Sequence, residues 1–234
     1  MQRTWLACLA AAALLGAAPA AADDPRGRDL DLVWSHPALD TLPLGRIAML
    51  PAASFDRNLS NEKLAEGMLA MALKPAGHRW LSTASTRTLL RTATGNDSLL
   101  NVVRDELLKN ARFDSLTAIA LCERLRCDAV LGVRVDRMEQ VKLDVTMSGK
   151  PSTTVQAKAA LMDARGRLQW TISGSEVGEG PYQSPSRNPF STPGGGVNLN
   201  PADTGMGPPS YEEVLQKMFG RWGGRFPKAE VAGG

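Results

Sequence analysis

Two cysteines, two histidines and a few closely spaced charges are the residues of this 234-residue chain whose types could do chemistry once its amino-terminal leader is set aside. Cys122 and Cys127 stand at C-x4-C spacing. That is not the C-x-x-C of a redox centre, and no histidine lies near enough in sequence to complete a zinc site. An even pair in an exported chain predicts one structural disulfide, tying a helix end to the next strand, with two buried free thiols as the other reading. His36 and His78 are the only imidazole bases, the first in a proline-bearing arm and the second entering a strand. Neither sits in a serine, cysteine or metal motif. Asp136 with Glu139, and Asp163 with Arg165, could form pairs, yet charges at turns and strand edges usually face water. The PGGG run at 193–196 lacks the lysine and the strand-to-helix context of a phosphate loop. The expectation is therefore no enzyme, with no catalytic residue, no cofactor and no metal.

The ends of the chain set the compartment. Residues 1–22 carry one early positive charge (Arg3), an apolar run from Trp5 to Leu15, a breaker at Gly16 and small residues to Ala22. This is the pattern of a secretory signal cleaved between Ala22 and Asp23, with a run too short to span a bilayer. Cleavage at Cys8 would leave the apolar run on the wrong side of a lipid-bearing cysteine, so lipidation there is not expected. No later stretch is apolar and long enough for a transmembrane helix, and the periplasm is the natural compartment. Charge is balanced, with 27 basic and 24 acidic residues over the whole chain, which argues against nucleic acid or a polybasic membrane role.

The remaining residues are read for the elements that would hold such groups. Residues 23–44 form an extended arm whose DLDLVW segment can be a short edge strand, bounded by Pro37 and Pro43. The core domain spans 45–177. RIAML closed by Pro51 reads as a buried strand. Leu59 and Leu64 around Ser60 read as the entry of a helix with Leu64, Met68, Met71 and Ala72 inward. HRWLST is the next strand. Ser85, Asp97 and Asp114 or Ser115 are placed to cap three helices, and Gly95 to end the first of them. Val130 to Val135 is a buried strand in which Gly132 marks close backbone approach or a bulge. Val141 to Thr146 alternates as a separate half-exposed strand. A hairpin follows, with Leu168, Trp170 and Ile172 on one face. The Gly/Pro-rich residues 178–209 cannot recover their ordering entropy by burial and are expected to form a flexible insertion. Ser210 caps a final helix over 210–227 with a wide apolar stripe. The fold expected is α/β (α+β), a single domain with a mixed sheet of about five strands and helices packed on it.

Three stretches carry a resemblance: Ile47 to Pro51, Cys127 to Gly132, and Leu161 to Trp170 with Gly166 at the turn. Together they resemble the periplasmic domain shared by the curli secretion-channel lipoprotein and the penicillin-binding-protein activator lipoproteins. The lipid-attachment cysteine and the paired spanning hairpins of the curli channel have no counterpart, so a pore is not expected. The resemblance implies an exported, non-enzymatic protein-binding module that regulates or adapts a cell-envelope complex. The alternative is a structural subunit of an envelope secretion or assembly complex, and a hydrolase ranks last. Partners would be envelope proteins, with Trp34, Tyr182 and Phe190 as candidate contacts.

Overall fold

The computed structural model describes residues 31–39, 44–95, 97–143, 147–183 and 207–229. The expected leader, its cleavage point at Ala22 and Asp23, Cys8, Phe190 and most of the expected insertion over 178–209 lie outside these residues. In chain order the elements are β1 (Asp31–Ser35), β2 (Arg46–Met49), β3 (Ala53–Ser54), α1 (Leu59–Leu73), β4 (Arg79–Leu81), α2 (Thr83–Thr94), α3 (Ser98–Asn110), α4 (Ser115–Leu125), β5 (Ala129–Val141), β6 (Ser152–Asp163), β7 (Leu168–Glu179) and α5 (Tyr211–Arg225). The strands make one mixed sheet in the order β1-β7-β6-β5-β2-β4, with β3 paired to β5. It has seven strands rather than about five. The two residues of β3 are too few to show a periodicity, and Asp31 to Trp34 of the DLDLVW segment are incorporated as an edge.

Burial along β5 shows how the layers are arranged. Its first seven residues are buried whichever way they point, and the last six alternate between half-buried and exposed. A bulge between Val135 and Arg137 separates the two regimes. The strand expected over Val130 to Val135 thus runs on to Val141, and of the separate strand expected over Val141 to Thr146 only Val141 is in a strand among the described residues, 144–146 lying outside them. Helices α1 and α5 cover one face, where Ala65, Leu69, Leu73, Val214, Met218 and Trp222 meet Leu131, Val155, Leu161 and Trp170. Helices α2, α3 and α4 cover the other face only over β2, β4, the start of β5 and the end of β6, with Val103, Leu107, Phe113 and Leu121 against Ala48, Val130 and Met162. Phe113 and Leu107 sit so close over Gly132 that a methyl group there would lie 2.6 Å from the ring. The expected close approach is therefore real.

Local chemistry sets the helix ends, and two caps differ from expectation. The Asn58 side chain accepts from the Ser60 and Asn61 amides, so α1 starts before Ser60, and Ser82 rather than Ser85 caps α2. With α1 rotated accordingly, Met71 is exposed and the buried stripe is Glu62, Ala65, Glu66, Leu69 and Leu73. A shift in the β6–β7 register at Leu161/Met162 turns Leu168 to the face opposite Trp170 and Ile172. Asp114 and Ser210 cap α4 and α5 as expected.

Cys122 and Cys127 are both free and buried, which corrects the expected disulfide. The reason lies in the end of α4. Arg126 is left-handed (φ 49°), its amide reaches the Glu123 carbonyl, and the Cys127 amide donates to the Cys122 carbonyl at 3.1 Å. In this helix-ending motif the residues at the two cysteine positions form the accompanying apolar contact. The spacing C-x4-C is thus that of a helix cap, and the thiols act as small hydrophobes. The hydrogen bond to Cys127 and burial both push the Cys122 thiol far above its ordinary value.

Strand β1 and helix α5 meet at Asp31. Its carboxylate has no exposed surface, and it accepts from Arg221 Nε (3.0 Å) and Nη2 (3.3 Å) and from the Trp222 indole (3.2 Å). It fits because the residue opposite, on β7, is Gly174. A methyl group at Gly174 would lie 2.1 Å from Asp31 Oδ1. Gly174→Ala is expected to lower stability by about 2–3 kcal/mol in urea unfolding by displacing the carboxylate from its partners. Combined with Asp31→Asn, its effect should fall well short of additive. Thiol titration of the unfolded chain without reductant is expected to find both cysteines reduced, and adding reductant should leave the melting temperature unchanged.

Candidate functional site

Edge strand β1 brings the features of a docking surface together. It pairs antiparallel with β7, and the His36 amide donates to the Gln169 carbonyl at 2.8 Å. That bond fixes the phase of the ladder. Leu32 and Trp34 turn their main-chain groups toward β7, while Val33 and Ser35 turn theirs out from the sheet. Among the described residues no strand covers this edge. The cross-strand row Trp34–Thr171–Ala160–Gly132 places Trp34 on the face of α2–α4, as the row Leu32–Ser173–Lys158–Arg134 does Leu32. Those helices stop short of β1, leaving Leu32 76% and Trp34 45% exposed. Two large apolar side chains therefore flank outward-facing amides and carbonyls, the combination that sheet edges ordinarily avoid.

Beyond Ser35 the edge runs into a groove of about 680 Å³ between the β1 exit and the end of α5. His36, Pro37 and Phe226 line it, and Arg225, which also lies 4.0 Å from the Asp31 carboxylate, and Lys228 are its charged walls, with no carboxylate among the described lining residues. His78 closes the structure behind the groove. Its ring nitrogens each lie 2.8 Å from a main-chain carbonyl, of Leu44 and of Pro227, and the ring meets Trp80 and Phe226 edge-on. This imidazole clasps the C-terminal segment to the sheet. His36 Nδ1 accepts from the Ala38 amide, in the turn that ends β1.

The structure brings only some of the sequence-selected residues together. Trp34 lies at the edge. Tyr182 is exposed beyond the far end of β7, and that end lies about 25 Å along the strand from the row that holds Trp34. Asp136 takes Arg134 and, at 3.8 Å, Lys158, while Glu139 pairs with Arg137, so those two carboxylates serve separate partners. Asp163 is held by Arg167, with Arg165 contributing only its amide. The groove cations Arg225 and Lys228 gave no signal in the sequence, because only the folded chain sets them beside a strand nearly 200 residues earlier.

No family model matches the chain, and no curated protein sequence matches it. Solved structures similar to it include lipoprotein GNA1162 from Neisseria meningitidis, at 22% identity and TM-score 0.43, covering 63% of this chain and 88% of that one. The PelC dodecamer from Paraburkholderia phytofirmans is similar at 15% identity and TM-score 0.40, covering 85% and 96%. The LpoB C-terminal domain from Salmonella enterica is similar at 13% identity and TM-score 0.35, covering 57% and 82%. Among the described residues no helix is long and apolar enough to cross a membrane.

Asp163 gives the hairpin below the edge a measurable pH dependence. Burial pushes its carboxyl up, but the Arg167 amide and guanidinium and the Arg165 amide outweigh it and hold the group below the usual carboxylate range. A depressed folded value means stability present above the unfolded carboxylate value of about 3.9 and lost as pH falls through the folded one. Asp163→Asn is expected to cost about 2 kcal/mol at pH 7, with the deficit shrinking below about pH 4 in acid unfolding.

Proposed function

We propose that this chain is an exported, non-enzymatic protein of the cell envelope that works by holding another protein, with β1 as its docking strand. The observation that carries the reading is the pairing of exposed Leu32 and Trp34 with the outward main-chain groups of Val33 and Ser35. An extended segment can add to such an edge through main-chain hydrogen bonds, its side chains selected by the flanking surface. Here that surface is an aromatic and an aliphatic group on one side and a groove walled by Arg225 and Lys228 at the end. The segment that fits is extended, apolar at alternate positions, and carries a carboxylate where it reaches the groove. Signal-like residues at the start of the chain and the resemblance to envelope lipoprotein domains support the compartment.

A photo-crosslinking residue at position 34, introduced in the envelope, is expected to give a discrete adduct that the same residue at the exposed Val102 of α3 does not give. Val33→Pro removes an outward N–H at a position where an edge strand tolerates proline. It is expected to leave melting nearly unchanged and to reduce the adduct at least tenfold. An adduct of twice the chain mass would assign the edge to self-assembly. Persistence of the adduct in Val33→Pro would rule out strand addition, and absence of any adduct from position 34 would reject the docking strand.

A further inference from the structure

At the other end of the sheet from β1, the connections of β2 open a second site. After β2 the chain passes through α1, on the face of α5, to reach β4 on one side. It then returns through α2, α3 and α4 on the opposite face to reach β5 on the other side. The connections leaving β2 and its neighbour β4 thus set out on opposite faces, which parts the chain beyond the carboxyl ends of these two strands, and open α/β sheets bind ligands in such a crevice. Here the crevice is a cleft of about 420 Å³ between the residues after β2 and helices α1, α2 and α3.

Its chemistry is cationic and organised from below. Lys63, Arg87, Arg91 and Arg104 line it, against Glu62 and Asp97. Arg91 is held by both oxygens of Asp97, at 2.6 and 3.3 Å. The other two arginines are held differently. Buried Glu66 accepts from the Ala52 amide (3.0 Å) and from Arg87 Nη2 (3.1 Å). Buried Glu62 accepts from the Ser54 amide (3.2 Å) and hydroxyl (3.1 Å) and from Arg104 Nη2 (2.6 Å). Each glutamate thus fixes one arm of a guanidinium to the loop after β2. Among the described residues, Nε and Nη1 of both arginines and the Lys63 ammonium make no bond. Stapling helices together accounts for one donor of each arginine and leaves the rest, with Lys63, around one space.

We propose that this cleft binds a small molecule with an oxyanion group, phosphate or carboxylate. Arg87, Arg104 and Lys63 are its contacts, and Glu62 and Glu66 are positioning residues. Planar guanidinium forks with unused donors match the paired oxygens of either group. Leu59, Leu100 and Val103 give the cleft an apolar wall for the body of the ligand, and its size is that of an ordinary small-molecule site. The site is separate from the docking strand, with β7, β6 and β5 between them.

The test is calorimetric titration of the purified protein with pyrophosphate and, separately, citrate at low ionic strength, with thermal melting alongside. Saturable binding that raises the melting temperature and weakens with salt is expected. Arg87→Lys keeps a cation on Glu66 but loses the fork, and Lys63→Gln removes an exposed charge that holds nothing in the fold. Each is expected to weaken binding about tenfold with the unliganded melting temperature unchanged. If Arg87→Lys melts early, Lys63→Gln alone decides. Binding of both anions supports a general oxyanion site, and binding of one assigns its chemistry. The proposal is overturned if neither anion binds saturably at millimolar concentration, or if Lys63→Gln binds as tightly as the parent.

Discussion

A carboxylate sealed from water is the constraint on which the surface of this protein depends. Removing a charge from water costs several kcal/mol, and Asp31 recovers that cost through the bidentate Arg221 guanidinium, the Arg225 guanidinium at 4.0 Å, an indole N–H and a neighbouring strand with no side chain in the way. The same contact fixes the register of β1 against β7, because Asp31 has to face Gly174. A slip of one residue would turn the carboxylate out and bring Leu32 in. The exposure of Leu32 and Trp34 is therefore set by where a charge has to go. The apolar edge is held in place by a polar clamp.

Much of the architecture was legible because it follows local rules. Gly95 ends a helix, Asp114 and Ser210 begin helices, and the turn at Gly166, with φ of 73°, makes the hairpin. What was not legible required partners distant in sequence. Periodicity treats Glu62 and Glu66 as solvent-facing, so it put Met71 inside. Only the Ala52 and Ser54 amides and two arginines from α2 and α3 make the glutamate face the buried one. The five-residue step between the cysteines fits a disulfide and a helix-ending contact equally well as a string of letters. The left-handed Arg126 and its amide bond decide between them.

The candidate surfaces divided along the same line. Trp34 stood out as an aromatic residue in a proline-bearing arm, a local oddity that composition can reveal. The groove beside it is built by Arg225, Phe226 and Lys228 from the far end of the chain, and the cleft after β2 by three helices and a loop. Neither leaves a motif. The sheet that separates them is covered on both faces at one end and on one face at the other, as the burial of β5 records within a single strand.

Asp31 reaches Arg221 across 190 residues, nearly the whole length of the polypeptide. Closing so large a loop is entropically costly, and here the gain arrives only with the last helix. A ribosome-bound chain lacking α5 can pair β1 with β7, yet the Asp31 carboxylate has none of its partners from the last helix. The clamp on the edge strand therefore closes only once α5 is in place, and a product truncated before α5 would pair β1 with β7 without it.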